Sequence, residues 1–307
     1  MKTVKIFYAG IPTKNNNSEK VDVLRFFHMG VTGAQSTEIK VPQHSACDLA
    51  VMQGWVHENS GRTPHLMFRR EIIRQQKLAQ KHVLAIDSNL FLWKDPNNTH
   101  HYLRFSLNDV FPQTGTYFTD NIDPTRWDKI RNDLNINVQP WRKEGRHILI
   151  CLQRNGGWSM KQLPVMQWLP NIIQQIKKHT DRKIVIRPHK MFIKSNDNQK
   201  INEVNKKFKN VEIRPYENES IFDVLKNTWA TVIFSTTAGL PSLIEGVPLF
   251  VTSETSMLYE MSSGDLSKLE NPKLQDRLPF LIKNANRHWT QKEILEGTYW
   301  NTIREYL

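Results

Sequence analysis

The sequence predicts an α/β protein of two domains, each a parallel sheet covered by helices. Three observations predict this. Short apolar runs bounded by charge, Gly or Pro alternate with segments of helical periodicity. At 307 residues the chain is long for one domain of ordinary size. The segment 135–146, NINVQPWRKEGR, has the proline, glycine and charge of a connection between two regions of different pattern.

In the N-terminal half, Thr3–Ala9 reads as a strand, Glu19–Met29 as a helix and Leu49–Met52 as part of a strand. Pro64–Gln80 reads as a helix, and Val83–Ile86 as a strand ending at Asp87. Tyr102–Phe118 receives no assignment. The second half is more regular. HILICLQ (His147–Gln153) is a buried strand. A helix follows over Lys161–Lys178, with an apolar stripe of Leu163, Met166, Leu169, Ile172, Ile173 and Ile176. Pro164 is accepted in its first turn, and Pro170 is expected to kink it. KIVIR (Lys183–Arg187) is a second strand, and 197–208 a helix. Val211–Ile213 is a third strand and Ser220–Asn227 a short helix. ATVIF (Ala230–Phe234) is a fourth strand, a helix begins near Thr237, and PLFVT (Pro248–Thr252) is a fifth. Strands and helices at this spacing imply right-handed parallel crossovers. Trp289–Leu307 reads as helical. The expected domains are 1–140 and 141–285, with 286–307 a C-terminal helix able to cross back onto the first.

Composition narrows the function classes. The net charge of +12, from 42 Lys plus Arg against 30 Asp plus Glu, favours encounter with polyanions. Nucleic acid, an anionic membrane surface and a phosphorylated small substrate all fit, as does a basic surface that is merely solvated. Two cysteines, Cys47 and Cys151, cannot build a disulfide framework, so a reducing cytoplasmic setting is expected. The apolar run Ile6–Ala9 is too short for a signal core, and no run of membrane-spanning length occurs. There is no Asp-x-Asp, no His-Glu-x-x-His and no paired-Cys motif, so no metal site is expected.

In open parallel sheets ligands bind beyond the carboxyl ends of the strands. Four segments there suit an anionic ligand. Arg154-Asn155-Gly156-Gly157 follows the first strand of the second half, and its glycines let backbone N–H groups approach a phosphate. It matches neither the Walker A nor the G-x-G-x-x-G pattern, and taken alone a tight ligand-free turn is the preferred reading of it. Arg187-Pro188-His189-Lys190 ends the next strand with three cation-capable residues, suited to a phosphate or ribose, or to capping a strand with solvated charge. Ser235-Thr236-Thr237 opens a helix, where hydroxyls and N–H groups serve an anion or an ordinary N-cap. Glu245, two turns on and before Gly246-Val247-Pro248, suits the ribose hydroxyls, with an exposed helix glutamate as the plain alternative. All four are expected at one edge of one sheet.

With these residues in view, the run from Ile148 to Thr252 resembles the nucleotide-sugar-binding half of GT-B glycosyltransferases, the capsule-type and phage-encoded ones in particular. The matching pieces are ILICLQRNGG, IVIRPHK and ESIFDVLKNTWATVIFSTTAGLPSLIEGVPLFV, the last being the most specific; together they cover about a third of the chain. The sequence departs from the commonest pattern in having Lys190 in place of a second proline and Thr-Ala in place of an acid or Ser-Gly. The resemblance implies two Rossmann-like domains facing a cleft, with the acceptor on the first and the donor on the second. It implies a co-substrate, a UDP-sugar, with no tightly bound cofactor and no metal. Arg187 and His189 would face the diphosphate or the sugar. Ser235, Thr236 and Thr237 would bind phosphate, and Glu245 ribose.

Direct displacement requires a base for the acceptor hydroxyl. Asp87, ending its strand, is the first choice, and His44 in Pro42-Gln43-His44-Ser45 the second; ordinary loop roles fit both. Arg104 and Asn108 are further acceptor-side candidates. DNA carrying hydroxymethylated bases is the preferred acceptor on charge and on Trp55, Trp93, Trp127, Trp141 and Trp158 beside basic residues, which also suit packing. A surface polysaccharide or lipid-linked glycan is the alternative acceptor. The rival readings are a nucleotide-sugar epimerase and a non-catalytic nucleic-acid-binding module.

Overall fold

The computed structural model describes the chain apart from residues 9–17, 42, 57–60, 88, 119, 155–157, 161–162, 190–196 and 216–218; of 18–21, 158 and 197–199 it describes the backbone alone. In chain order the elements are β1 (Thr3–Phe7), α1 (Ser18–Gly30), β2 (Gln35–Ile39), β3 (Leu49–Gln53), α2 (Pro64–Leu78), β4 (His82–Asp87), β5 (Leu103–Leu107), α3 (Thr125–Asp133), β6 (His147–Cys151), α4 (Val165–Lys177) and β7 (Lys183–Arg187). There follow α5 (Asp197–Lys207), β8 (Val211–Ile213), α6 (Ile221–Leu225), β9 (Thr228–Ile233), α7 (Gly239–Ile244), β10 (Leu249–Val251), α8 (Leu278–Ala285), β11 (His288–Trp289), α9 (Gln291–Leu295) and α10 (Thr298–Ile303). The chain divides into two compact units: unit one is Met1–Leu134 with Leu281–Leu307, and unit two is Asn135–Phe280.

Unit two is built on a five-stranded sheet in the order β10-β9-β6-β7-β8, with every pair parallel. Its strands are apolar runs because helices cover both faces; all of HILIC in β6 is buried. The stripe of α4 (Val165, Trp168, Leu169, Ile172, Ile173, Ile176) packs with Ile148, Ile150, Ile184 and Ile186 in one core. Each such fully buried side chain contributes about 1.5–3 kcal/mol. Pro164 is the N-cap of α4, where its missing N–H costs nothing, and Pro170 lies inside the helix, which continues to Lys177.

Unit one carries a six-stranded sheet in the order β11-β5-β4-β3-β1-β2. β2, β1, β3 and β4 run parallel, β5 runs antiparallel to β4, and β11 runs antiparallel to β5. Besides α8, three elements of unit one escape the sequence reading. β2 (QSTEI) is a polar edge strand paired with β1 alone among the described strands. β5 is fully buried yet carries Arg104 and Ser106, which break the apolar run. α3 has a short apolar face, Trp127 and Ile130.

The expected single C-terminal helix is a correction. Trp289 lies in β11, Thr290 and Glu293 form a capping box that starts α9, and Gly297 separates α9 from α10 with φ 74°. A Cβ on Gly30 of α1 would lie 1.9 Å from the carbonyl oxygen of Ile294, so α9 sits backbone to backbone on α1. Tyr299, Trp300 and Ile303 complete the core of unit one with Phe27. Among the described residues no helix is long and apolar enough to cross a membrane.

Candidate donor site and acceptor-side cluster

Because all strands of unit two are parallel, their carboxyl ends share one edge. The strand order reverses between β6 and β9, and that switch point is where open α/β sheets leave a crevice for ligands. Gln153 follows β6 there and Ser235 follows β9. The carboxamide Nε2 of Gln153 donates to Ser159 Oγ at 2.8 Å and to Ser235 Oγ at 3.1 Å, and its Oε1 accepts from Ser235 N at 3.0 Å. Ser235 Oγ also lies 3.1 Å from the carbonyl oxygen of Ser159. Next to this knot, Thr252 after β10 accepts from the Trp168 indole N–H at 3.2 Å.

The cationic residues take different positions. Arg187 ends β7 opposite Cys151 of β6 and is buried; its Nη1 donates to the carbonyl of Glu219 at 2.7 Å. It therefore sits beneath the edge as a fixed positive charge. Burial pushes the Cys151 thiol up to about 12, against the pull of Arg187, so Cys151 is no nucleophile. Arg154 is exposed and His189 half-buried, both beyond strand ends. Gly156, Gly157 and Lys190 lie outside the described residues.

The Ser-Thr-Thr segment differs from expectation. α7 begins at Gly239 and is six residues long. The N–H of Ala238 points to Thr236 Oγ1 (3.3 Å), that of Gly239 to Thr236 O (3.3 Å) and that of Leu240 to Thr237 O (3.0 Å). The N–H groups of Ala238, Gly239 and Leu240 are thus taken locally. What faces outward is the half-buried Thr236 and the exposed Thr237. Gly239 permits this tight turn, since a Cβ there would lie 2.7 Å from Ile233 Cδ1 and 2.9 Å from Leu258 Cδ1.

Glu245 is not at this edge, which corrects the expectation of four segments together. α7 runs back along the sheet, so its C-cap, Glu245, lies toward the amino ends of the strands. The neighbouring cation is Arg142, whose Nη1 donates to the carbonyl of Thr228, the first residue of β9, at 3.1 Å. Gly246, with φ 72°, lies where a Cβ would come 1.9 Å from the carbonyl oxygen of Pro140. Glu245 belongs to this structural corner.

In unit one, β5 runs antiparallel to β4 with Asp87 opposite Arg104, and the two side chains form an ion pair. Arg104 is buried and Asp87 nearly so; the Asp87 carboxylate offsets the desolvation of Arg104 and holds its pKa above the usual value. Asn108, four residues on, lies at the opposite edge. Its Oδ1 accepts from Val83 N at 3.1 Å and its N–H donates to Val83 O at 2.7 Å. It closes β5 onto the start of β4, so Arg104 and Asn108 do not share a site. His44 packs against the Phe7 ring and lies 3.3 Å from the Gln76 carboxamide of α2.

Sequence reasoning missed Gln153 and Ser159. The signal was a buried amide ending the apolar run HILICLQ. Among the described residues no cluster of three His, Cys, Asp or Glu is placed to hold a metal ion.

No protein-family model matches the sequence, and no curated protein matches it. Solved structures do. Thermosulfurimonas dismutans KpsC, beta Kdo 2,4 transferase, is 11% identical, with 96% of this chain and 98% of that chain covered and a TM-score of 0.56. The beta Kdo 2,7 transferase of the same protein is 11% identical, with 98% and 100% covered and a TM-score of 0.51. The likeness is one of fold, and with the two sheets described above it gives the chain the GT-B-type architecture of two Rossmann-like units.

Proposed function

We propose that the protein is a glycosyltransferase that moves a sugar from a nucleotide-sugar donor, a UDP-sugar in the first instance, to a hydroxyl of a surface polysaccharide or lipid-linked glycan. The observation that supports it is the switch-point edge of unit two, where Gln153 and Ser235 are locked together. Arg154 follows Gln153, Thr236 and Thr237 follow Ser235, His189 comes two residues after the end of β7, and the buried Arg187 ends that strand. A diphosphate leaving group needs preorganised donors and positive charge where its own charge develops. The exposed Arg154, His189 and the two threonine hydroxyls supply the donors, and buried Arg187 supplies a field that costs no reorganisation.

Asp87 is the proposed base. The ion pair with Arg104 orients its carboxylate, which would take the proton of the acceptor hydroxyl as that oxygen bonds to the sugar. A glycan acceptor is favoured over DNA for two reasons. Trp55 and Trp127 are core residues, and Trp141 is held by its N–H bond to the Gln275 carbonyl at 3.0 Å and by Arg277 stacked at 4.2 Å. These rings do not offer the stacking platform that a flipped base requires. The two structures of like fold are also both named as transferases of a sugar, Kdo.

The test is to incubate the protein with UDP-, CMP- and GDP-sugars and with oligosaccharide, hydroxymethylated DNA or no acceptor. Sugar transfer to the oligosaccharide supports the reading. Transfer to DNA alone reverses the acceptor assignment, free epimerised nucleotide-sugar without acceptor indicates an epimerase, and DNA binding without turnover a non-catalytic module.

A further inference from the structure

Gly54 follows β3 with φ 77°, and its N–H donates to the carbonyl of Ile86 at 2.7 Å. It marks the edge where β3 and β4 end. A Cβ on Gly54 would lie 3.5 Å from Cζ of Arg69 and 3.6 Å from both its terminal nitrogens. The Arg69 guanidinium, sent from α2, therefore lies against this edge in the space that glycine leaves open. Asp87 ends β4 at the same edge, and its charge acts on both Arg69 and Arg104. Arg104 is 5% exposed, and the Nε atoms of Arg69 and Arg104 are both buried without a hydrogen-bond partner among the described residues.

A third guanidinium is close. Arg287, also 5% exposed, lies 4.5 Å over the Tyr117 ring, and Tyr117 feels the charges of Arg104, Arg287 and Asp87 together. Gathering like charges out of water is costly unless counter-charge is present, and among the described residues Asp87 is the one carboxylate whose charge acts on both Arg69 and Arg104. The planar fork of a guanidinium matches the oxygens of a carboxylate or phosphate.

We propose that Arg69 and Arg104, set around Asp87 and reinforced by Arg287, form an oxyanion-binding pocket in unit one that holds the carboxylate or phosphate of an acidic acceptor. This rests on the glycosyltransferase reading. Asp87, the base of that reading, stands within the pocket, so an acceptor anchored by its acid group brings its hydroxyls toward the carboxylate. The acceptor class is then an acidic or phosphorylated sugar rather than a neutral one.

The experiment titrates the full chain with glucuronate, orthophosphate, glucose and chloride at constant ionic strength, following Tm and heats of binding. Glucuronate, orthophosphate or both are expected to bind and raise Tm, with glucose and chloride inert; the one that binds names the acid group. Arg69→Gln is expected to weaken that binding about tenfold while moving the ligand-free Tm by only a few degrees. Asp87→Asn, which removes the competing carboxylate, is expected to tighten it severalfold, the opposite of what loss of a purely structural ion pair gives. The affinity for UDP, whose site lies in unit two, serves as the control and is unchanged in Arg69→Gln. Equal shifts with chloride, undiminished binding in Arg69→Gln, or weaker binding in Asp87→Asn would overturn the pocket. UDP binding without anion binding removes the pocket and leaves the transferase reading; anion binding without any nucleotide binding does the reverse.

Discussion

Gln153 grips Ser235 with both ends of its carboxamide, Oε1 to the backbone N–H at 3.0 Å and Nε2 to the hydroxyl at 3.1 Å. This ties the loop after β6 to the loop after β9 across the point where the strand order of unit two reverses.

Gln153→Ala leaves a Ser235 donor without its partner, at a cost of about 1–3 kcal/mol. Nucleotide affinity is expected to fall about tenfold with it, because the edge is no longer preorganised. Gln153→Glu keeps an acceptor but places negative charge beside the phosphates, so its affinity is expected to fall further than that of the alanine variant. Urea unfolding and calorimetric titration with UDP measure the two effects; an unchanged affinity in both variants would remove Gln153 from the site.

Arg187 and Glu245 are expected to part company. Arg187→Gln removes the buried positive charge below the edge and weakens nucleotide binding about tenfold, and it destabilises because the Glu219 carbonyl loses a charged donor. Glu245→Gln, at the other end of the sheet, leaves nucleotide affinity within about twofold. Thermal shifts with UDP, CMP and GDP read this directly, and a large loss in Glu245→Gln would return that carboxylate to the donor site.

Asp87→Asn is expected to lower turnover by a factor of about 100 or more while donor affinity stays within about twofold, since the base acts on the acceptor alone. Initial rates at saturating donor test it, and normal turnover would dismiss Asp87 as the base.

Two buried histidines set an acid limit on stability. His288 accepts from Leu90 N at Nε2 (3.1 Å) and lies 2.7 Å from the Asn284 carbonyl at Nδ1, and His147 lies 2.9 Å from Thr228 Oγ1, whose own proton goes to the Val224 carbonyl. Both rings are held neutral, and burial pushes His288 down to about 3 and His147 down to about 4. The folded values lie below the unfolded one, near 6.5. The stabilisation is therefore complete above that pH and is lost as pH falls toward 4 and 3. Each histidine costs about 2 kcal/mol at pH 5 relative to pH 7. His288 belongs to unit one and His147 to unit two, so urea unfolding should show both units weakened at pH 5; a flat profile between pH 7 and 5 would contradict the neutral assignment.

The parallel sheet of unit two was legible because burial on both faces makes each strand a continuous apolar run, HILIC and KIVIR being the plainest. β5 was not, because Arg104 and Ser106 interrupt its run, and its buried arginine makes sense only once Asp87 is seen opposite. Arg104 and Asn108 look like neighbours along the chain, but an antiparallel strand carries them to opposite edges. Glu245 was misplaced for a related reason: chain order does not reveal that a six-residue helix returns the backbone to the far end of the sheet. Gln153 reads from the sequence as the last residue of a strand, and its bonds to Ser235 show only in the folded chain. The C-terminal break was written in Thr290-Gln291-Lys292-Glu293 and Gly297, a capping box and a left-handed glycine that a search for apolar periodicity passes over.

The most direct test of the central claim is hydrogen–deuterium exchange of the full chain with and without a nucleotide or nucleotide-sugar. Protection is predicted at 152–154, 187–189 and 234–238, the carboxyl edge of unit two around the switch point. Protection confined to the amino edge around Glu245, or no protection with UDP, CMP or GDP nucleotides, would contradict it.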